Sequence, residues 1–158
     1  GPPFFLLHKP CRGRGIGENI EPCREDALAG IHLVLVCSQI HASTPQAYAD
    51  YDAALKASDT VSGQNCLTKT ESKANGTFLS GVRTELSIHN DLEDVVFSRH
   101  PQLAEIKANL LRLGAGAVAM SGSGSSIVAL FAHEFHVESQ AAAAMLQGEN
   151  RRVYAHVL

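Results

Sequence analysis

Several absences narrow the field. Only 18% of the 158 residues are charged, and 13 Lys and Arg against 16 Asp and Glu leave a net charge of −3. The strongly basic footprint that holds nucleic acid is therefore missing, and no nucleic-acid partner is expected. Also missing is the low hydrophobicity joined to high charge that keeps a chain unfolded. Hydrophobic residues make up 45% of the sequence, enough for an ordinary core. No apolar run reaches the roughly 18–20 residues that span a bilayer. The N-terminus lacks the charged-then-apolar layout of a signal peptide, so no membrane partner is expected. Cysteine is sparse: Cys11, Cys23, Cys37 and Cys66 form no C-x-x-C pair. A disulfide scaffold would pack more of them into fewer residues, and these four read as reduced thiols of a cytosolic protein. His8 with Cys11 and Cys23 lacks the second ligand pair of a closed zinc site, and no metal site is expected. The Asn75-Gly76-Thr77 glycosylation triplet stands alone, with no other secretory sign, and reads as chance.

What is present suits one domain, or two small ones. Gly1-Pro2 has the look of the pair a protease leaves when a tag is removed. Residues 3–7 read as a strand just out of a turn, and residues 3–23 have strand character throughout. Alternate glycines at Gly13, Gly15 and Gly17 suit a tight turn or bulge between strands. Residues 31–36 are β-branched and nearly continuous in apolar character, the pattern of a buried strand. Thr44 is a suitable helix N-cap and Pro45 a suitable first helical residue, for a helix running to about Leu55. Residues 58–87 are rich in Ser, Thr, Lys, Asn and Gly and read as a loop or insertion.

Helical periodicity returns with Leu92, Val95, Val96 and Phe97, then with Leu103, Ile106, Leu110 and Leu113 after Pro101, ended by Gly114. Residues 117–120 and 127–131 read as strands around a Gly-Ser loop. An Ala-rich helix over 137–147 and an alternating strand over 152–157 close the chain. Strands and helices interleaved in this order predict an α+β fold, a ferredoxin-like two-layer sandwich over about residues 29–158. Leu33, Leu35, Val118, Val128, Leu130 and Val153 are the expected buried residues of its sheet.

The sharpest chemical signal is Ser121-Gly122-Ser123-Gly124-Ser125-Ser126. Glycines at alternate positions let the backbone take positive φ, so that successive amides can line one concavity, and such nests hold phosphate. The serine hydroxyls add donors. It is not a P-loop, because no Lys-Ser/Thr pair follows and a strand comes next. The plain alternative is a hairpin turn. Asn90-Asp91-Leu92-Glu93 is an acidic helix start whose carboxylates would complement the helix dipole. The eight histidines, His133 and His136 among them, have no carboxylates at a metal spacing and read as surface or core residues.

Five elements occur in one order: Pro3-Phe4-Phe5, Gly15-Ile16-Gly17-Glu18, Ser43-Thr44-Pro45 with Tyr48, Asn90-Asp91-Leu92-Glu93, and Met120-Ser121-Gly122-Ser123-Gly124-Ser125. Together they resemble the C-terminal half of the 4-diphosphocytidyl-2-C-methyl-D-erythritol kinases, a family of the GHMP kinase superfamily. The resemblance covers most of the chain and is thin over residues 58–87. The Ser-Gly-Ser-Gly-Ser run looks like the superfamily's third motif. The Asn-Asp-Leu-Glu and Gly-Ile-Gly-Glu elements point to this family rather than to homoserine or mevalonate kinases.

The resemblance implies an ATP-dependent kinase, with Mg2+, that phosphorylates the tertiary 2-hydroxyl of a cytidine diphosphate substrate in non-mevalonate isoprenoid synthesis. It implies a cytoplasmic protein, or a plastid one if eukaryotic. It implies two domains with the site in the cleft between them, so that residues 1–28 would be the β-rich tail of an N-terminal kinase domain. The family's glycine-rich ATP loop and catalytic Lys belong to that domain and have no counterpart here. Its catalytic Asp stands in Gly-x-Asp-x-Pro-Phe-Phe, a pattern that places it at Gly1. No catalytic residue is therefore expected in this chain, which should be inactive alone and prone to self-association along an edge left by a missing half. By the same resemblance Tyr48 matches the aromatic residue stacked on the cytosine. Thr44 matches the threonine beside the diphosphate, and Ser121, Gly122, Ser123, Gly124 and Ser125 match the loop lining the phosphate-transfer cleft. The competing reading is a non-catalytic ferredoxin-like module that holds a small anionic ligand.

Overall fold

A computed structural model describes residues 11–14, 19–22, 28–61 and 88–158. The expectations for residues 3–7, for the glycine turn at 15–18 and for most of 58–87 lie outside these residues. So do Cys23, Cys66 and the Asn75 triplet.

Strands β1 (Cys11–Arg14) and β2 (Asn19–Pro22) pair antiparallel, with Gly13 opposite Ile20. They form a two-stranded sheet of their own, as the strand character of this stretch predicts. The other four strands are β3 (His32–Ser38), β4 (Ala117–Met120), β5 (Ile127–Phe131) and β6 (Arg151–Val157). They make one antiparallel sheet in the order β4-β5-β3-β6. Strands β3 and β4 belong to one β-α-β unit, but β5 lies between them. The second unit, β5-helix-β6, is thus interleaved with the first, which is the ferredoxin-like arrangement.

The first unit is connected by helices α1 (Thr44–Val61), α2 (Glu93–Arg99) and α3 (Pro101–Arg112), the second by α4 (His136–Leu146). Pro101 opens α3, where its missing N–H costs nothing. Gly114, at φ +98°, follows the end of α3 in the left-handed conformation that a helix stop favours. Helix α1 runs to Val61, past the expected end at Leu55, so the predicted loop does not begin at residue 58.

The core phase differs from the expected one. Leu33, Leu35 and Val128 are only half-buried, and Val34, Val36, Ile127, Ala129 and Phe131 fill the helix-covered face with Leu103, Leu110 and Leu146. Side chains alternate across a strand, so a one-residue phase error exchanges the faces, and an unbroken apolar run carries no phase. Leu33, Leu130 and Ala117 are cross-strand neighbours on the other face, where Ile31, Leu28 and Ile88 join them in a smaller cluster. Leu130 is buried there, and Val118 is buried in the main core, as expected. Val153 does face the helices but lies on edge strand β6, so it is half-buried.

Candidate functional site

Strand β4 ends at Met120 and β5 begins at Ile127, so the Gly-Ser run must reverse the chain in six residues. The Ser121 amide donates to the Ser126 carbonyl at 2.8 Å, and the Gly124 amide to the Ser121 carbonyl at 3.2 Å. Gly122 sits at φ +59° and Gly124 at φ +100°, a region costly for any residue with a Cβ. Gly124 is constrained in a second way: a Cβ there would lie 3.1 Å from Met120 Sδ and 3.2 Å from Ala42 Cβ. At Gly122 no described residue lies within 4 Å of the corresponding position. The amides of Gly122, Ser123 and Ser125 donate to no described residue.

Three neighbouring segments meet this turn. The first is the start of α1, where Thr44 Oγ1 lies 2.7 Å from Ser123 Oγ. Thr44 is the first helical residue rather than the N-cap: the Ala47 amide bonds the Ser43 carbonyl, which puts Ser43 at the cap position. The Thr44 hydroxyl is therefore turned to the loop and not to its own helix. Tyr48 stands one turn further along the same helix face and is 56% exposed. The second segment is the end of β3, where Ser38 and Ser125 exchange hydroxyl-to-carbonyl hydrogen bonds of 3.4 Å in both directions.

The third segment is the Asn-Asp-Leu-Glu run. Asn90 Nδ2 donates to the Met120 carbonyl and to the Gly122 carbonyl, both at 2.7 Å, while its Oδ1 accepts the Leu92 amide at 3.0 Å. These partners fix the orientation of the side-chain amide, since only the nitrogen can donate. Glu93 is buried. Its Oε1 accepts the Met120 amide at 2.5 Å, and its Oε2 pairs with Lys107 Nζ from α3. The expected role of these acidic residues, complementing the helix dipole, thus misses what Glu93 does: it ties α2 to α3 and to the end of β4.

The predicted substrate and phosphate-loop residues therefore come together, with Tyr48 exposed beside them. Asn90, Glu93, Lys107 and Ser38 were not foreseen as part of the site. The four-residue motif was a visible signal for the first two. Lys107 and Ser38 reach the site only through tertiary packing and left no local pattern.

A cavity of about 470 Å3 adjoins the loop between α1 and α2 and shares with it Ala42 and Val96, the Gly124 neighbours. On its wall Arg99 makes a two-toothed ion pair with Asp50, joining α2 to α1. The Arg99 guanidinium, helped by Gln46, holds the Asp50 carboxyl below the usual aspartate range, and the pair raises Arg99. A larger open cavity of about 610 Å3 lies between α3 and the ends of β3 and β6, and among its described lining residues Ser38 is the one bonded to the loop, at Ser125. At the opposite end of β3, buried His32 sits against His133 and His136, its Nε2 3.3 Å from the His133 carbonyl. No group of three or more ligating side chains among the described residues is arranged to hold a metal ion. No described helix is long and apolar enough to cross a membrane.

Residues 77–150 match the family model described as GHMP kinases C terminal. A protein of Nitratidesulfovibrio vulgaris named 4-diphosphocytidyl-2-C-methyl-D-erythritol kinase is 42% identical over 156 residues, covering 99% of this chain and 51% of that protein. One of the same name from Lawsonia intracellularis is 40% identical over 133 residues, covering 82% of this chain and 44% of that protein. A crystal structure of 4-(cytidine 5'-diphospho)-2C-methyl-D-erythritol kinase superposes with a TM-score of 0.63 at 24% identity, covering 97% of this chain and 51% of that one. That likeness shows a shared fold. The chain spans about half the length of the curated relatives it matches.

Proposed function

We propose that the chain carries the C-terminal domain of the GHMP kinases, whose family model residues 77–150 match, and that it is part of a kinase for 4-diphosphocytidyl-2-C-methyl-D-erythritol. In this reading ATP is the phosphoryl donor and the tertiary 2-hydroxyl of the substrate the acceptor. A bacterial cytoplasm is the compartment that goes with it, since the relatives named above are bacterial. The observation that carries it is the 2.7 Å contact of Thr44 Oγ1 with Ser123 Oγ. It joins the residue assigned to the diphosphate to the loop assigned to phosphoryl transfer.

Each residue then has one task. The Tyr48 ring offers an exposed rigid face on which cytosine stacks at low entropy cost. The Thr44 and Ser123 hydroxyls bond each other, which leaves one of the two hydrogens to donate to the diphosphate. The amides of Gly122, Ser123 and Ser125, which donate to no described residue, supply further donors beside the group in transfer, a reaction that depends on positioning and charge stabilisation. The loop carries no carboxylate, and Glu93 is engaged by Lys107 and the Met120 amide. No part in Mg2+ binding is therefore assigned to the residues of this loop. No proton transfer is assigned to them either; the family's catalytic Lys and Asp have no match in this sequence, and the chain alone is expected to be inactive.

Kinetics test the assignment, using a protein of the relatives' full length that contains this chain. Tyr48→Ala is expected to weaken substrate binding about ten- to hundredfold, the worth of stacking one base, with kcat little changed. Cytidine does not change during transfer, so its contact is equal in ground and transition states. Gly122→Val is expected to lower kcat instead, because a β-branched side chain resists positive φ and would distort the loop. An unchanged Michaelis constant for the first variant and a silent second variant would remove both residues from the site.

A further inference from the structure

We propose that Asn90 is the positioning residue of the Gly-Ser loop, holding the loop's backbone in the shape that receives a phosphoryl group. This rests on the loop being the phosphoryl-binding element of the reading above.

Asn90 lies 30 residues before Met120 in sequence, yet its amide nitrogen bridges two carbonyls at the loop's start. Both hydrogens of Nδ2 are used, on the carbonyls of Met120 and Gly122, each at 2.7 Å. Met120 is the last residue of β4 and Gly122 the first glycine at positive φ. The bridge therefore spans the point at which the chain leaves the sheet and turns. Glu93 grips the same residue through the preceding peptide, since its carboxylate accepts the Met120 amide. Lys107 in turn holds Glu93.

The loop supplies little restraint of its own at this end. Its internal bonds run from Ser121 to Ser126 and from Gly124 to Ser121, and no described residue packs within 4 Å of a Cβ at Gly122. With its two glycines the loop is also the part of the hairpin with the most backbone freedom to lose. A donor that ties both carbonyls on one side leaves the amides of Gly122 and Ser123 without intramolecular partners in the described residues. Electrostatic stabilisation of a developing phosphoryl charge works when such donors are fixed before the reaction begins. Asn90 touches neither substrate nor ATP in this scheme. It acts through the backbone it holds.

Asn90 has a second role, which the experiment must separate. Its Oδ1 accepts the Leu92 amide at the entry to α2. Asn90→Asp keeps that acceptor and nearly the same shape, but it replaces the double donor with an oxygen facing two carbonyls. A residue that serves only the helix entry would tolerate this change. A residue that positions the loop would not.

The test has two arms. In the 158-residue chain, amide hydrogen exchange and 15N shifts of residues 121–126 are compared for wild type and Asn90→Asp. In a protein of the relatives' full length containing this chain, kcat and KM are measured for the same variant, with Gly124→Ala as a control for the loop itself. Exchange at the hydrogen-bonded loop amides, those of Ser121 and Gly124, is expected to rise at least about tenfold, and the 15N shifts of Gly122, Ser123 and Ser125 are expected to move. The turnover number is expected to fall about 10- to 100-fold, with KM for the cytidyl substrate within threefold, as misplaced groups near the reacting atoms cost rate rather than remote binding. Loop amides that are unchanged in Asn90→Asp overturn the proposal, whatever the enzyme does. If the amides respond but kcat is unaffected while Gly124→Ala lowers it, Asn90 has no part in catalysis, and again the proposal fails. If Gly124→Ala also leaves kcat intact, the loop is not a phosphoryl site, and both this proposal and its premise fall.

Discussion

Gly124 is held by two constraints where its neighbour Gly122 is held by one. Both have positive φ, but only Gly124 would press a new Cβ against Met120 and Ala42. Gly124→Ala is expected to destabilise the chain by about 2–5 kcal/mol, the sum of left-handed strain and overpacking. Gly122→Ala should cost about 1–2 kcal/mol, from strain alone. Urea unfolding of the two variants checks the order, and equal losses would show that the packing around Gly124 relaxes freely. At this scale the sequence was legible wherever a residue type has few other uses. Alternating glycines announced positive φ, and φ is positive at Gly122 and Gly124. Thr44 was legible as a residue at a helix start, but not that Ser43 would take the cap and leave its hydroxyl for Ser123. That choice turns on one residue of register, below what local propensity resolves.

At the level of elements, α1 and α2 are joined near the candidate site by the Asp50–Arg99 pair. The folded pKa of Asp50 is depressed, chiefly by its bond to Arg99. Its stabilising contribution is therefore present above the ordinary aspartate value of 3.8 and lost as pH falls through the depressed one. Asp50→Asn should flatten the acid limb of stability below the ordinary aspartate value of 3.8, and added salt should shrink the difference because the pair faces solvent. Denaturation midpoints of both proteins at pH 6 and pH 2.5 decide this; parallel losses would remove the pair as a source of acid sensitivity. The elements themselves were readable because periodicity and punctuation agreed: Pro101 before Leu103, Ile106 and Leu110, Gly114 after them. The face of β3 was not. A strand of His32, Leu33, Val34, Leu35 and Val36 has apolar side chains on both sides, and the sheet buries one side under helices and covers the other only in part.

For the whole molecule, interleaved strands and helices predicted the ferredoxin-like sheet, and the order β4-β5-β3-β6 bears it out. The contacts that tie its parts into a site were hidden. Lys107 to Glu93 and Ser38 to Ser125 connect residues distant in sequence, and neither pair follows a local pattern. What unites the fold with the proposed chemistry is that the end of β3, the start of α1 and the Asn-Asp-Leu-Glu segment all converge on one turn. Phosphoryl transfer itself is the most direct check. A protein of the relatives' full length containing this chain, given radiolabelled ATP, is expected to transfer the γ-phosphoryl to 4-diphosphocytidyl-2-C-methyl-D-erythritol and not to homoserine, with Tyr48→Ala losing saturation by the cytidyl substrate. Transfer to homoserine in preference, or no transfer to the cytidyl substrate from a folded protein, would contradict the proposed function.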